Sequence, residues 1–129
     1  MTSRTLTPAD LGQIKAALEA RRTTLRTEVK AQMQGSGDER VVGLRNRLDE
    51  TDDWAVADSL AELDIAGVRH ALGELNDVEA ALTRMRDSSY GVCTDCGDAI
   101  APARLAAYPT ATRCIECQQT FEARPGRPA

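Results

Sequence analysis

Apolar residues recur at helical spacing in two long stretches of the chain. In the first stretch they are three, four or seven positions apart: Leu11, Ile14, Leu18, Leu25, Val29 and Met33. Such positions share one face of an α-helix, so this stretch predicts an amphipathic helix. The helix is expected to begin at the sequence TPAD (residues 7–10), because Thr7 can cap it, Pro8 suits the first helical position and Asp10 can complete a capping box.

The first apolar stripe is interrupted at Gly35-Ser36-Gly37. Asp38 is placed to cap a second helical segment whose apolar positions are Val41, Val42, Leu44 and Leu48. The pattern fits either a break between two helices or a bend within one long helix. Both interpretations remain open at this point.

The second stretch runs from Trp54 to about Asp87 and has a nearly heptad seam. Its apolar positions are Ala61, Ile65, Val68, Leu72, Leu75, Val78, Leu82 and Met85. Between the two stretches lies an acidic run, Asp49 to Asp53. Two long amphipathic helices with a short acidic connection predict an antiparallel coiled-coil hairpin over residues 1–88. Its tip is expected near residues 49–55, which we call the acidic segment.

All four cysteines lie in two matched pairs, C-x2-C at Cys93 and Cys96 and again at Cys114 and Cys117, with 17 residues between the pairs. Each pair aims two thiolates at one point, and two pairs complete a tetrahedron around Zn²⁺. Disulfides are the less favoured alternative, since residues 1–11 contain no apolar core that would serve as a signal peptide. A thioredoxin-like redox site would instead need a single C-x-x-C within a βαβ pattern.

Four thiolates leave zinc without an open position for water or substrate, so we expect one structural zinc ion per chain and no catalysis by the metal. The zinc module should span residues 89–122, with short turns between the cysteine pairs and a terminal helix from Cys117 to Glu122. Gly97 suits the first metal-binding turn, whose backbone conformation a side chain would hinder. Residues 123–129, with two prolines and a glycine, predict a disordered tail.

Composition narrows the function classes. The chain has 129 residues, 3% aromatic residues and a net charge of −4. The low aromatic content favours a core of packed aliphatic helices with support from a metal. An acidic chain is poorly suited to sequence-independent binding of nucleic acid, which requires clustered Lys and Arg. The sequence has no apolar run of 18 residues, so we expect no membrane span and a cytoplasmic location.

The zinc region resembles the DksA/TraR-type four-cysteine zinc-finger regulators of bacterial RNA polymerase. The likeness is carried by YGVCTDCG at residues 90–97 and by PTA at residues 109–111 before CIEC at residues 114–117. It covers residues 54–121 well and the first helix more loosely. The resemblance implies a mainly α protein that enters the secondary channel of RNA polymerase, without sequence-specific binding to DNA.

The same resemblance implies a role for the acidic segment. The family's tip motif is Asp-x-x-Asp-x-Ala, which matches Glu50 to Ala55 here, with Glu50 in place of the first Asp. Asp53 and Ala55 keep the other two positions, while a frame based on Asp49 and Asp52 stays open. The residues expected to contact the partner are Glu50, Asp52, Asp53, Trp54 and Ala55.

A second implication concerns the alarmone ppGpp, which some members of the family bind together with the polymerase. Responsive members carry basic residues at positions that correspond here to Asp77, Tyr108 and Gln118. A polyphosphate needs cationic donors, and an Asp would repel it. We therefore expect a response to ppGpp that is weak or absent.

Other functions fit the residues less well. A coiled-coil adaptor for another protein is compatible with the hairpin alone. A nucleic-acid-binding zinc ribbon would need a basic face, yet only Arg104 and Arg113 accompany the acidic residues near the cysteines. An enzyme is the least favoured class, because no nucleophile is paired with a base and the only histidine, His70, falls off the apolar seam. We expect a monomer, since the hairpin can bury its own seam.

Overall fold

The computed structural model describes residues 6–52, 54, 62, 65 and 67–123. Within these residues the chain is mainly α-helical: α1 is Pro8–Met33, α2 Glu39–Thr51, α3 Val68–Arg86, α4 Pro102–Ala107 and α5 Ile115–Glu122. The described residues contain no β-strand, only one isolated antiparallel bridge between Val92 and Ala99. The predicted class, a helical hairpin joined to a zinc finger with a C-terminal helix, is confirmed.

The start of α1 is the predicted capping box. The Thr7 amide donates to Asp10 Oδ2 at 3.1 Å, and the Asp10 amide donates to Thr7 Oγ1 at 3.1 Å. These reciprocal bonds satisfy amides that have no partner inside the helix. The predicted apolar stripe is buried from Ile14 to Met33, while Leu11 is half-buried.

The Gly-Ser-Gly sequence is a true break between α1 and α2. Gly35 has φ +83°, and the Ser36 amide donates to the Met33 carbonyl at 3.4 Å. Asp38 then caps α2 as predicted, since its Oδ1 accepts a hydrogen bond of 2.9 Å from the Arg40 amide. The chain therefore turns after α1, and the long helix with a bend is excluded.

Helix α2 runs back along α1. Val41 and Leu48 of α2 are fully buried. Lys30 Nζ of α1 lies 3.5 Å from Asp49 Oδ1 near the C-terminal end of α2. Further back along α1, Arg26 pairs with Asp52, just beyond α2, so the two helices are antiparallel.

The described part of the acidic run lies at the end of α2. The run was expected to form a tip that connects two long helices. In the structure Asp49 and Glu50 lie in the last turn of α2, and Asp52 ends this helix at φ +51°, with its amide donating to the Leu48 carbonyl at 2.9 Å. Among the described residues, the turn after α1 is formed around Gly35, and the acidic run does not lie there. Asp53 and Ala55 lie outside the described residues.

Helix α3 begins at Val68, later than the predicted start at Trp54. Gly67 precedes it with φ +82°, a conformation that an α-helix does not contain, and Ile65 is not helical. Ala61 lies outside the described residues. From Val68 onward the predicted seam is buried through Leu82, because each seam position faces the packed side of the helix.

Helices α1 and α3 are also antiparallel. Arg21 Nη2 of α1 donates to Glu74 Oε1 of α3 at 2.7 Å. At the other end of α1, Gln32 faces Gly67, where an added Cβ would lie 3.0 Å from the Gln32 Cδ atom. One face of α1 therefore lies against α3, as the hairpin prediction requires.

The chain forms two compact units, residues 20–79 and residues 1–19 with 80–129. The first contains α2 and the acidic segment, and the second contains the zinc module. The boundary predicted at residue 88 stays a prediction, and the predicted tail, apart from Ala123, lies outside the described residues. Among the helices described, none combines the length and apolar character that crossing a membrane requires.

Candidate metal centre

The four predicted ligands converge on one point. The Sγ atoms of Cys93, Cys96, Cys114 and Cys117 all lie within 4.8 Å of one another. The Sγ atoms of Cys96 and Cys114 are 3.9 Å apart. In a tetrahedron with Zn–S bonds of about 2.3 Å the sulfur atoms are about 3.8 Å apart, so this spacing fits zinc.

The first cysteine pair is held by a tight turn. The Cys93 amide donates to the Asp98 carbonyl at 2.8 Å, and the Gly97 amide donates back to the Cys93 carbonyl at 3.0 Å. Gly97 has φ +78°, and a Cβ atom there would meet nothing within 4 Å among the described residues. Glycine is therefore needed for its conformation and not for space, as the sequence predicted.

The second cysteine pair uses the start of a helix. Cys114 is the N-cap of α5, and its Sγ accepts a hydrogen bond of 3.4 Å from the Cys117 amide. A helical turn brings residues three positions apart to one side, so both sulfurs face the same point. Helix α5 begins at Ile115, two residues before the predicted start at Cys117.

Hydrogen bonds join the two metal-binding turns directly. The Thr112 carbonyl accepts from the Thr94 amide at 2.8 Å and from Thr94 Oγ1 at 3.2 Å. Arg113 Nε donates to Asp95 Oδ2 at 2.8 Å. The sequence interpretation missed these links; the available signal was that each partner lies within two residues of a cysteine.

The residues between the cysteine pairs form a supporting layer. Helix α4 replaces the short turns predicted there, and its Leu105 is fully buried. The Tyr90 hydroxyl donates to the Pro109 carbonyl at 2.7 Å. Arg104 Nε donates to the Arg113 carbonyl at 2.9 Å. Arg104 and Arg113, the two basic residues that accompany the acidic ones near the cysteines, are thus both engaged within the module, since the Arg113 guanidinium carbon also lies 4.0 Å from the centre of the Phe121 ring.

The electrostatics of the thiols fit a divalent cation. Burial raises the pKa of Cys93, but hydrogen bonds from the backbone at Cys114, Cys96 and Asp95 outweigh it and bring this pKa down to about 6. The pKa of Cys117 is raised, chiefly by its hydrogen bond with Cys114. Cys93 is thus biased towards the thiolate form in which a cysteine binds a metal, and a bound cation would favour the same form in its other ligands.

Residues of the acidic segment contact one another and α1 within the compact unit of residues 20–79. Glu50 is exposed, and Asp52 Oδ1 accepts a hydrogen bond of 3.0 Å from Trp54 Nε1. The Arg26 guanidinium lies 5.3 Å from the centre of the Trp54 ring. Arg26 and Lys30 of α1 pair with the carboxylates of Asp52 and Asp49. His70 is exposed, as predicted.

Residues 88–123 match the sequence profile of the prokaryotic dksA/traR C4-type zinc finger. The transcription factor DksA2 of Pseudomonas aeruginosa has a similar structure, with a TM-score of 0.64, 21% identity, and coverage of 93% of this chain and 88% of that one. At that identity the likeness concerns the fold. Profile, fold and cysteine cluster together define a four-cysteine zinc-finger protein with one structural zinc site.

Several curated relatives carry the name RNA polymerase-binding transcription factor DksA. The protein of Salmonella typhimurium is 30% identical over 116 residues, which are 90% of this chain and 74% of that protein. The protein of Caulobacter vibrioides is 44% identical over 50 residues, which are 39% of this chain and only 35% of that protein. The chain belongs to the DksA/TraR family.

Proposed function

We propose that this chain is a non-enzymatic, cytoplasmic transcription regulator that binds RNA polymerase through its secondary channel and acts through the acidic segment. The observation that carries the proposal is the match over 90% of the chain to a Salmonella protein named as an RNA polymerase-binding transcription factor. The closed four-thiolate site supports a structural role for zinc, since the metal has no position left for a substrate.

The acidic segment supplies chemistry suited to a polymerase. Its carboxylates cannot bind DNA phosphate, but they can perturb the Mg²⁺ coordination or the mobile loops of a catalytic centre. Glu50 is exposed at the end of α2 and is free to meet such a target. Asp53, which fills the second acidic position of the family's motif, is the residue we propose as decisive.

Competition at the secondary channel tests the proposal first. Labelled protein should bind core RNA polymerase, and a known occupant of the secondary channel should displace it. Binding without displacement would place the protein elsewhere on the enzyme. Absence of binding at micromolar concentration would reject the proposal and favour a zinc-braced adaptor for another protein.

Substitution of the acidic segment tests the mechanism. We expect Asp53→Asn to leave polymerase binding nearly unchanged and to abolish the effect on promoter-complex lifetime. Asp49→Asn tests the alternative frame of the motif, and Glu39→Gln at the exposed start of α2 is a control that removes one negative charge. An Asp53→Asn protein that still shifts promoter-complex lifetime would exclude the role given to this residue.

The proposal includes a weak or absent response to ppGpp. Asp77 and Tyr108 are exposed, and Gln118 Nε2 donates to Glu122 Oε2 at 2.8 Å, so none of the three supplies a cation. Reconstituted transcription with and without ppGpp measures the response. A strong enhancement by ppGpp would refute this part of the proposal and leave polymerase binding untouched.

A further inference from the structure

Within the compact unit of residues 20–79, Arg26 of α1 lies next to both the acidic segment and α3. Its Nη1 atom lies 3.8 Å from Asp52 Oδ2, just beyond α2, and its Nη2 atom lies 3.7 Å from Glu79 Oε2 on α3. Its guanidinium carbon is 5.3 Å from the centre of the Trp54 ring. One side chain of α1 therefore contacts two members of the acidic segment and one residue of α3.

The contacts of Arg26 act through charge and stacking. Both carboxylate distances exceed hydrogen-bonding range, and the buried Nε atom donates no hydrogen bond within the described part of the chain. The Arg26 side chain is 25% exposed, but the side chains of Asp52 and Glu79 are 69% and 42% exposed, so solvent and salt partly screen both ion pairs. A guanidinium over an indole ring gains a cation–π attraction as well.

Asp52 and Trp54 form one unit with this arginine. Trp54 Nε1 donates to Asp52 Oδ1, while Asp52 Oδ2 faces Arg26. Asp52 also has the left-handed backbone conformation that ends α2, with φ +51°. The side chains of Arg26, Asp52 and Trp54 therefore meet where α2 ends.

We infer that Arg26 is a positioning residue for the acidic segment: it holds Asp52 and Trp54 against α1 and thereby sets how the segment presents its carboxylates. The functional half of this inference rests on the proposed function. Arg21 offers a natural comparison on the same helix, because it pairs with Glu74 and its described contacts include neither Asp52 nor Trp54.

The only tryptophan of the chain makes the inference measurable without polymerase. We expect Arg26→Gln to raise the acrylamide quenching constant of Trp54 about two-fold, from the loss of the cation–π contact. Arg26→Lys should restore part of the protection, since a lysine keeps the charge but not the planar group. Arg21→Gln, which makes the same change of charge, should leave quenching as in the wild type.

Helix content by circular dichroism and zinc content should be equal in all these proteins. Equal quenching in Arg26→Gln and Arg21→Gln would overturn the inference. Increased quenching in Arg26→Gln that is accompanied by a loss of helix would also overturn it, because Arg26 would then be a stabilising residue only. Asp52→Asn in the Arg26→Gln background should add little, because the two changes remove the same contact.

Transcription assays test the functional half. We expect the Arg26→Gln protein to have an effect on promoter-complex lifetime that is at least two-fold weaker than that of the Arg21→Gln protein. Both variants should still bind polymerase. If Arg26→Gln increases the quenching of Trp54 but regulates transcription like the wild type, the claim that Arg26 affects regulation is overturned. The claim that Arg26 holds Asp52 and Trp54 in place then still stands. If the wild-type protein itself fails to bind polymerase, the proposed function fails, while the quenching data still decide the role of Arg26.

Discussion

The zinc module and the region around α2 are held in different ways. In the module, polar contacts link residues on or next to the cysteine turns, as in the bonds from Thr94 to the Thr112 carbonyl and from Arg113 to Asp95. Around α2, the buried contacts are apolar and the ion pairs are partly exposed, as between Lys30 and Asp49. The module thus combines ligand geometry and polar contacts with buried residues such as Leu105, whereas the α2 region depends on side-chain burial.

Removal of zinc should distinguish the zinc module from the α2 region more clearly than any other change. Structural zinc contributes about 10–16 kcal/mol in isolated fingers, so Cys93→Ser or a chelator should unfold residues 88–123. Residues 20–79 keep their own apolar core and should stay helical. Metal analysis should find about one zinc per wild-type chain and far less in the variant.

Hydrogen exchange resolved along the sequence shows which region loses protection. An unchanged exchange pattern after chelation would contradict the dependence of the module on zinc. Loss of protection throughout residues 20–79 as well would contradict the separation of the two regions.

Leu48→Ala should destabilise the α2 region and leave zinc binding unchanged. Leu48 is fully buried and fastens α2, so its truncation should cost about 2–5 kcal/mol of unfolding free energy. Leu44→Ala is the matched control in the same helix, because Leu44 is only half-buried and should cost less. Urea denaturation followed by circular dichroism measures both, and equal costs would show that α2 is not held by burial at Leu48.

Two glycine substitutions should act with opposite signs in the two regions. Gly97→Ala should destabilise the module by about 1–2 kcal/mol, because φ is +78° although space is free. Gly43→Ala should stabilise α2 by about 0.5–1 kcal/mol, because Gly43 lies in a helix with nothing near its Cβ position among the described residues. Zinc affinity reports the first change and thermal unfolding the second. If both substitutions changed stability in the same direction, the backbone conformations described for Gly97 and Gly43 would be contradicted.

The remaining prediction concerns Tyr90. Burial raises the pKa of Tyr90 from about 10 to about 12, although the charge of Arg84 opposes the shift. A raised pKa stabilises the fold fully below pH 10, and this contribution is lost as the pH rises towards 12. Tyr90→Phe should lack this alkaline loss and should cost about 1 kcal/mol at neutral pH, from the hydrogen bond to Pro109.

Absorbance titration of the phenols checks this shift. The wild type should show a late step near pH 12 that Tyr90→Phe lacks. A variant that keeps the late step would assign it to another group.

The sequence predicted the zinc ligands and the faces of α1 because both are local patterns. Two residues separate the cysteines of each pair, and a helical period separates Ile14 from Leu18. The return of α2 along α1 was left undecided, since it depends on pairs such as Lys30 with Asp49 that are distant in sequence. The late start of α3 follows from the conformation of Gly67, which periodicity does not encode.

Helix α4 has a consequence for the capture of the metal. The 17 residues between Cys96 and Cys114 form a loop that must close before the second pair meets an ion held by the first. Because the module folds only with the metal, α4 and the buried Leu105 become ordered as this loop closes, and they then stabilise the closed loop around the ion. The sequence between the ligands therefore contributes to how firmly zinc is retained, even though it contributes no ligand.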